Sequence, residues 1–202
     1  MAPFVVNADH VHAFKDRAAL ERWYKKHHLG EDEFWLKVFK VGSGVASVTI
    51  ADALDVALCH GWIDAIRKSL DAESYLQRYT PRNRTSIWSK KNITNVERLI
   101  EEGRMTSYGQ AEIDKAKADG RWDRAYASGA KLETPPELLA AIKANPSAQK
   151  LYESLSAQNR FALAFRVHHL KTEAGRKKRI ESFVAMLARG ETIYPNGKRQ
   201  TK

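Results

Sequence analysis

Residues 61–81, GWIDAIRKSLDAESYLQRYTP, hold two runs of strand-forming residues around a short polar turn. Trp62–Leu70 and Ser74–Thr80 are predicted strands, and the three residues 71–73 between them are short enough for a hairpin. Pro81 cannot donate a hydrogen bond to a strand ladder, so the second strand is predicted to end there. The stretch therefore predicts an antiparallel hairpin.

Upstream of the hairpin, the sequence predicts a third strand and two helices. Phe34–Val41 alternates apolar and polar residues and is rich in strand formers. Asp16 is predicted to cap a helix over residues 17–28, and Thr49 is predicted to cap a second helix that ends before the hairpin. The expected fold class is α+β: a small antiparallel sheet of about three strands with packed helices.

Downstream of the hairpin the pattern becomes helical. Thr94 begins a Thr-x-x-Glu pattern and is predicted to cap a helix. The chain is expected to divide into an α+β domain over residues 1–127, an all-helical C-terminal module over residues 134–190, and a basic, disordered tail over residues 191–202.

Composition excludes several classes of protein. The single cysteine, Cys59, excludes an internal disulfide and a zinc site built on cysteines. No apolar run reaches the roughly 18 residues of a membrane span, and the N-terminus lacks the pattern of a signal peptide. We expect a soluble, cytoplasmic protein without a membrane span, with periplasmic association left open. The sequence holds no HExxH, Walker A or GxGxxG motif, so neither a cofactor nor a metal is predicted.

The most informative stretch is PRNRTSIWSKKN, residues 81–92, which places two arginines, three hydroxyls and a tryptophan in one loop. Loops dense in donors and aromatic rings are typical of binding sites, and arginine suits carboxylates and phosphates. On the preceding strand, alternation places Asp64 on one face with two large apolar residues, Trp62 and Ile66. The candidate residues for a small anionic ligand are Trp62, Asp64, Arg82, Arg84, Ser86, Trp88, Ser89 and Asn92.

A purely structural interpretation of the same residues stays open. Asp64 then forms an internal ion pair with Arg82 or Arg84, which pins the loop to the sheet. The polar residues at 86, 89 and 92 then only cap turns and the start of a helix.

The basic excess is concentrated near the C-terminus. Residues 160–202 contain 11 lysines and arginines against 3 acids, whereas the whole chain has a net charge of +10. A predicted helix in this region carries four consecutive cations, Arg176, Lys177, Lys178 and Arg179. Such a cluster either binds a polyanion, which means nucleic acid or anionic lipid, or is simply a solvated helix face.

Two strings, GWID at residues 61–64 and PR-x-R-x-S-x-WS-x-x-N at residues 81–92, together resemble the YdeI/OmpD-associated (bacteriocin-protection) family. The resemblance extends over about residues 14–191. It implies a bacterial setting, resistance to antimicrobial peptides and a link to an outer-membrane porin or another envelope protein. It implies no catalytic residues.

Three classes of function follow. The resemblance implies a binding or adaptor protein in bacterial stress resistance. The loop at residues 81–92 indicates an enzyme or sensor for a small anionic ligand. The basic helix indicates a polyanion binder.

Overall fold

The structure is a computed structural model that describes residues 6–127, 132–170 and 172–196. It divides into two compact units between Ala125 and Tyr126. The described strands are β1 (Val11–Ala13), β2 (Phe34–Phe39), β3 (Trp62–Ser69) and β4 (Ser74–Pro81). The described α-helices are α1 (Arg17–His27), α2 (Ile50–Cys59), α3 (Lys90–Glu101), α4 (Ser107–Ala118), α5 (Pro136–Lys143), α6 (Pro146–Ser154), α7 (Ala157–His168) and α8 (Glu173–Ala188).

The four strands form one mixed sheet in the order β1-β2-β4-β3. β4 pairs antiparallel with both of its neighbours, whereas β1 runs parallel to β2 with Val11 opposite Trp35. The predicted α+β class is confirmed, but the described sheet has four strands rather than about three. The sequence reading missed β1 because three residues are too few to show an alternation.

The edge strand β3 is irregular between Asp64 and Arg67. Three residue steps along β3 match two steps along β4 there, so β3 carries one extra residue, a β-bulge. The Gln77 side chain fills the bulge, because its Nε2 donates to the carbonyls of Ala65 (3.2 Å) and Ile66 (3.3 Å). The prediction that Ile66 shares a face with Asp64 is therefore wrong, and Arg67 takes that place.

Helices α1 and α2 pack with the strands to form the main core of the first unit. Both predicted caps are confirmed: Asp16 accepts from the amide of Ala19, and Thr49 accepts from the amide of Asp52. The buried residues of this core are Leu20, Tyr24, Phe34, Leu36, Val38, Val48, Ala53, Val56, Ala57, Trp62 and Tyr79.

The end of α2 also packs against α3 and α4, in a second apolar cluster that includes Leu58 and Trp88. The N-terminal turn of α4 lies directly on the end of α2, where Thr106 donates its hydroxyl to the carbonyl of Cys59. A Cβ at Gly109 would lie 2.5 Å from that carbonyl oxygen and 2.6 Å from the carbonyl oxygen of Leu58. Only glycine permits this approach.

Helix α3 starts earlier than the Thr-x-x-Glu pattern predicts, and its N-cap is one of the polar residues that the structural interpretation of the loop expects to cap a helix. Ser89 accepts a hydrogen bond from the amide of Asn92 (3.1 Å) and is the N-cap, so the helix begins at Lys90. Thr94 lies inside the helix and donates its hydroxyl to the carbonyl of Lys90. The predicted cap at Thr94 is wrong because a Thr-x-x-Glu spacing also occurs within helices.

The second unit contains α5–α8, and the predicted helical character of this region is confirmed. Helix α6 begins at Pro146, where Asn145 accepts from the amide of Ala148. The core of the second unit contains the buried residues Leu138, Ile142, Ala148, Leu155, Leu163, Val167, Ile180, Phe183 and Leu187. No helix among the described residues is long and apolar enough to cross a membrane.

Part of the predicted tail makes specific contacts with α7 and its N-cap. Asn159 Nδ2 donates to the carbonyl of Tyr194 (3.0 Å), and the Tyr194 amide donates to Asn159 Oδ1 (3.0 Å). The amide of Ser156 donates to Asn196 Oδ1 (2.8 Å). Residues 197–202 of the predicted tail lie outside the described residues.

Candidate functional site

The polar side chains of residues 82–92, which form a loop and the first turn of α3, are largely engaged in local structure. Ser86 Oγ accepts from the Asn83 amide (2.9 Å) and donates to Asn83 Oδ1 (3.1 Å). The carbonyl of Ser86 accepts from Arg121 Nη1 (2.8 Å). Ser89 caps α3, and Asn92 supplies the amide that it accepts from. Most of these contacts hold the turns of the loop itself, and the one from Arg121 ties the loop to the segment after α4.

Arg82 is the most constrained cation of this loop. Its side chain is buried, and its guanidinium carbon lies 3.6 Å from the centroid of the Trp88 ring. Its Nη1 donates to the carbonyl of Ile87 (3.4 Å), and its amide donates to the carbonyl of Gly61 (2.9 Å). Trp88 packs in turn against Trp122, with ring centroids 5.1 Å apart. The stack holds the Arg82 guanidinium in one position.

Asp64 is an exposed residue of β3, and the positive charge of Arg82 acts on its carboxyl group. Protein atoms around the carboxyl raise its pKa by desolvation, although the residue is exposed by area. The charges of Arg82, Arg67 and Lys91 oppose this rise. Arg84 is exposed in the loop.

Two of the eight candidate residues, Trp62 and Arg82, line a cleft of about 190 Å³ in the first unit. The cleft is formed where α1 and α2 end, β3 begins, β4 ends and α4 passes over them. Its polar lining consists of His28, His60, Arg82, Glu112 and Lys115. Its apolar walls include Leu29, Trp62, Pro81 and Tyr108.

The volume of the cleft limits what it holds. At about 30 Å³ per water, 190 Å³ corresponds to about six water molecules. Pockets for drug-sized ligands start at about 300 Å³. A phosphate or a short carboxylic acid fits the space, and a dinucleotide does not.

The backbone at Gly61 shapes the floor of the cleft. Gly61 has φ +77, in the left-handed region that favours glycine, and turns the chain from α2 into β3. A Cβ there would lie 3.1 Å from the carbonyl oxygen of Tyr108 and 3.1 Å from Cγ of Glu112. The glycine in CHGWID thus lets α4 approach the start of β3.

Two histidines face each other across the cleft wall. His28 is the C-cap of α1 and His60 is the C-cap of α2, and their ring centroids are 5.1 Å apart. The His28 ring also lies 4.4 Å from the ring of Tyr108. Burial lowers the pKa of His60, and the charge of Lys25 acts in the same direction.

A second cavity of similar size lies on the other side of His60 and includes Cys59. The thiol is buried, and burial raises its pKa to about 11. A thiol with this pKa is almost entirely protonated at neutral pH and is a poor nucleophile. The arrangement thus favours a packing role for Cys59.

The four cations of the basic helix differ in their surroundings. Arg176 forms an ion pair with Glu137 of α5. Lys177, Lys178 and Arg179 are exposed on the first turns of α8, and the Arg179 guanidinium lies 5.7 Å from the Phe183 ring centroid. Three of the four candidate residues therefore present charge to solvent.

Sequence reasoning missed the contributions of α1 and α4 to the cleft. His28, Glu112 and Lys115 lie far from residues 81–92 in sequence, and only tertiary packing brings them there. The one local signal was a histidine beside a helix-ending glycine, in His60-Gly61. Across the parts of the chain that the structure describes, no group of three or more His, Cys, Asp or Glu side chains is placed to hold a metal ion.

Two segments of the chain match known protein families. Residues 12–112, half of the chain, match the family described as Domain of unknown function (DUF8412). The chain belongs to this family. The DUF8412 match contains both strings quoted above and every lining residue of the cleft except Lys115.

The second unit gives a different match. Residues 131–190 match the family described as Bacteriocin-protection, YdeI or OmpD-Associated, which confirms the predicted resemblance in this segment. No curated protein and no solved structure matches the chain.

Proposed function

We propose that the protein acts by binding, as a bacterial stress-resistance protein, and that the cleft of its first unit takes a small anion. The description of the family matched by residues 131–190, bacteriocin protection, supports the setting. The burial of Arg82 and its packing on Trp88 support the assignment of an anionic ligand.

Arg82 carries this proposal because it is a buried guanidinium that lines a cleft. Its side chain is only 7% exposed, and its guanidinium carbon packs 3.6 Å from the centroid of the Trp88 ring. A guanidinium held in this way loses less rotamer entropy when it binds a carboxylate or phosphate than a mobile side chain would. The planar fork also matches the two oxygens of such a group.

The other charges of the cleft support an anion as well. Lys115 is an exposed cation at the rim and pairs with Glu112, with Nζ 2.7 Å from Oε1. Glu112 is the one carboxylate among the described lining residues, against two permanent cations. An entering anion therefore meets a positive cleft and competes with Glu112 for Lys115.

The test is calorimetric titration of the purified protein with inorganic phosphate, sulfate and acetate at low salt. Lys115→Gln is expected to weaken binding by about threefold to tenfold, and Glu112→Gln to strengthen it by a similar factor. Lys26→Gln, which removes an exposed charge on α1 outside the cleft, is the control and is expected to change nothing. Absence of binding, or a shift in the same direction for both cleft variants, would overturn the proposal.

A second candidate function is polyanion binding through α8, and the exposure of Lys177, Lys178 and Arg179 favours it. Binding of RNA or of anionic vesicles is then expected to weaken steeply with salt and to be lost when all three cations are changed to Gln. Binding that ignores salt would rule this candidate out.

The resemblance also implies an adaptor role toward an envelope protein or porin. Capture of such a protein by the wild-type chain from membrane extracts, in the absence of any small-anion binding, would favour the adaptor role over the cleft.

A further inference from the structure

We infer that the cleft binds an oxyanion together with a proton, and that the proton is taken up at Nε2 of the His28–His60 pair. This inference rests on the proposed function and assigns the ligand as a carboxylate, phosphate or sulfate group.

The two helix ends fix where a proton can be added. His28 Nδ1 lies 2.6 Å from the carbonyl oxygen of Tyr24, and His60 Nδ1 lies 3.0 Å from the carbonyl oxygen of Val56. A carbonyl oxygen only accepts hydrogen bonds, so Nδ1 of each ring carries a hydrogen. The remaining nitrogen, Nε2, is then the one position on each ring that can gain a proton.

His28 Nε2 needs a partner. It is buried and has no hydrogen-bond partner among the described residues. The residue is 9% exposed and lines the cleft. Buried polar atoms of this kind are uncommon in native proteins. A bound oxyanion that accepts from a protonated Nε2 gives this nitrogen the charge-assisted hydrogen bond that it lacks.

The spacing of the rings limits the uptake to about one proton. Their centroids are 5.1 Å apart, so a charge on one ring disfavours a charge on the other. An anion in the cleft compensates one positive charge and favours the singly protonated pair.

Other charges around the pair act in both directions. α1 contributes Glu21 and Lys25, and α4 contributes Glu112 and Lys115. Two further charged residues line the cavities. Arg82, which follows β4, lines the cleft, and Arg104, which precedes α4, lines the second cavity. Cations therefore exceed acids among these residues. Burial lowers the pKa of His60, and the charge of Lys25 acts in the same direction. Burial raises the pKa of Tyr24, so its hydroxyl stays protonated throughout the range used below.

The experiment is a calorimetric titration with sulfate, which keeps its double charge between about pH 5 and pH 8, so that any pH dependence comes from the protein. The dissociation constant is expected to fall by up to about tenfold for each unit of acidification until the pair is protonated. Repeating the titration in buffers of different ionisation enthalpy measures the proton uptake, which is expected to be about one per sulfate.

His28→Gln and His60→Gln are expected to flatten the pH dependence, whereas His168→Gln, an exposed histidine of the second unit, is expected to preserve it. If a variant fails to fold, NMR titration of the histidine ring protons in the wild type replaces it, and sulfate is expected to raise the titration midpoint of residue 28 or 60. Sulfate binding that does not vary with pH overturns this inference and leaves the proposed cleft intact. Absence of sulfate binding at every pH overturns both.

Discussion

The close approach of α4 to α2 makes Gly109→Ala a sensitive test of how the first unit is held together. The added methyl group would lie 2.4 Å from the sulfur of Met105, which can move, and 2.5 and 2.6 Å from two backbone carbonyl oxygens of α2, which cannot move easily. Ordinary contact begins at 3.4 Å, so α4 must retreat by about 1 Å. That shift also breaks the hydrogen bond from the Thr106 hydroxyl to the carbonyl of Cys59.

Two destabilising effects, the steric clash and the lost hydrogen bond, are set against one stabilising effect, and their sizes decide the outcome. Overpacking costs about 1–3 kcal/mol, and the lost hydrogen bond about 1 kcal/mol. Alanine in place of glycine within a helix returns about 1 kcal/mol. The free energy of unfolding is therefore expected to fall by about 1–3 kcal/mol.

Urea unfolding followed by tryptophan fluorescence is the appropriate assay, because all five tryptophans lie within the first unit. The midpoint is expected to fall by about 0.5–2 M, given typical urea dependences. Gly42→Ala is the matched control, because a Cβ at Gly42 meets open space. A Gly109→Ala midpoint at or above that of the wild type, with Gly42→Ala unchanged, would refute the reasoning.

Three further predictions concern the same unit. The Cys59 thiol, with its pKa raised from 9.0 to about 11, is expected to resist alkylation in the folded state at pH 8 and to react on unfolding. Because the thiol of the unfolded chain ionises at lower pH, the stabilising contribution of the protonated thiol is fully present below pH 9 and is lost as the pH rises through about 11. Cys59→Ala is expected to reduce this loss of stability in urea titrations. Trp88→Leu is expected to cost more stability than Trp88→Phe, by about 0.5–2 kcal/mol beyond the packing difference, because only Phe keeps a ring beneath Arg82; equal midpoints would contradict the stacking contribution. Ser89→Ala is expected to cost about 1 kcal/mol as the loss of a helix cap, and Thr94→Ala much less; the reverse order in thermal unfolding would restore Thr94 as the cap.

The sequence identified elements whose signals are local. The β3–β4 hairpin and the caps at Asp16 and Thr49 follow from residue preferences that act over three or four positions. The parallel strand β1 could not be found in this way, because its three residues are strand only through pairing with β2. Likewise, alternation along β3 failed at Ile66, since a bulge adds a residue without a mark in the local pattern.

The candidate site shows the same division. Loop composition drew attention to Arg82 and Trp88, which do interact. It also drew attention to Ser86 and Ser89, whose hydroxyls are engaged in turn and cap formation. The sequence did not predict that His28 lines the cleft, because the packing of one helix end against another is a property of the tertiary fold.

The filled bulge in β3 has a consequence for how the chain meets its own copies. In a regular strand, successive carbonyls point alternately to the two sides, so half of them face outward from an edge strand. Here two consecutive carbonyls, those of Ala65 and Ile66, are both held by Gln77 of β4. A strand arriving from another molecule therefore finds one acceptor missing in the middle of the edge that it needs to extend. We expect the side-chain amide of Gln77 to hinder extension of the sheet at this edge, and we expect Gln77→Leu to return that acceptor to the edge and to favour strand addition from another chain.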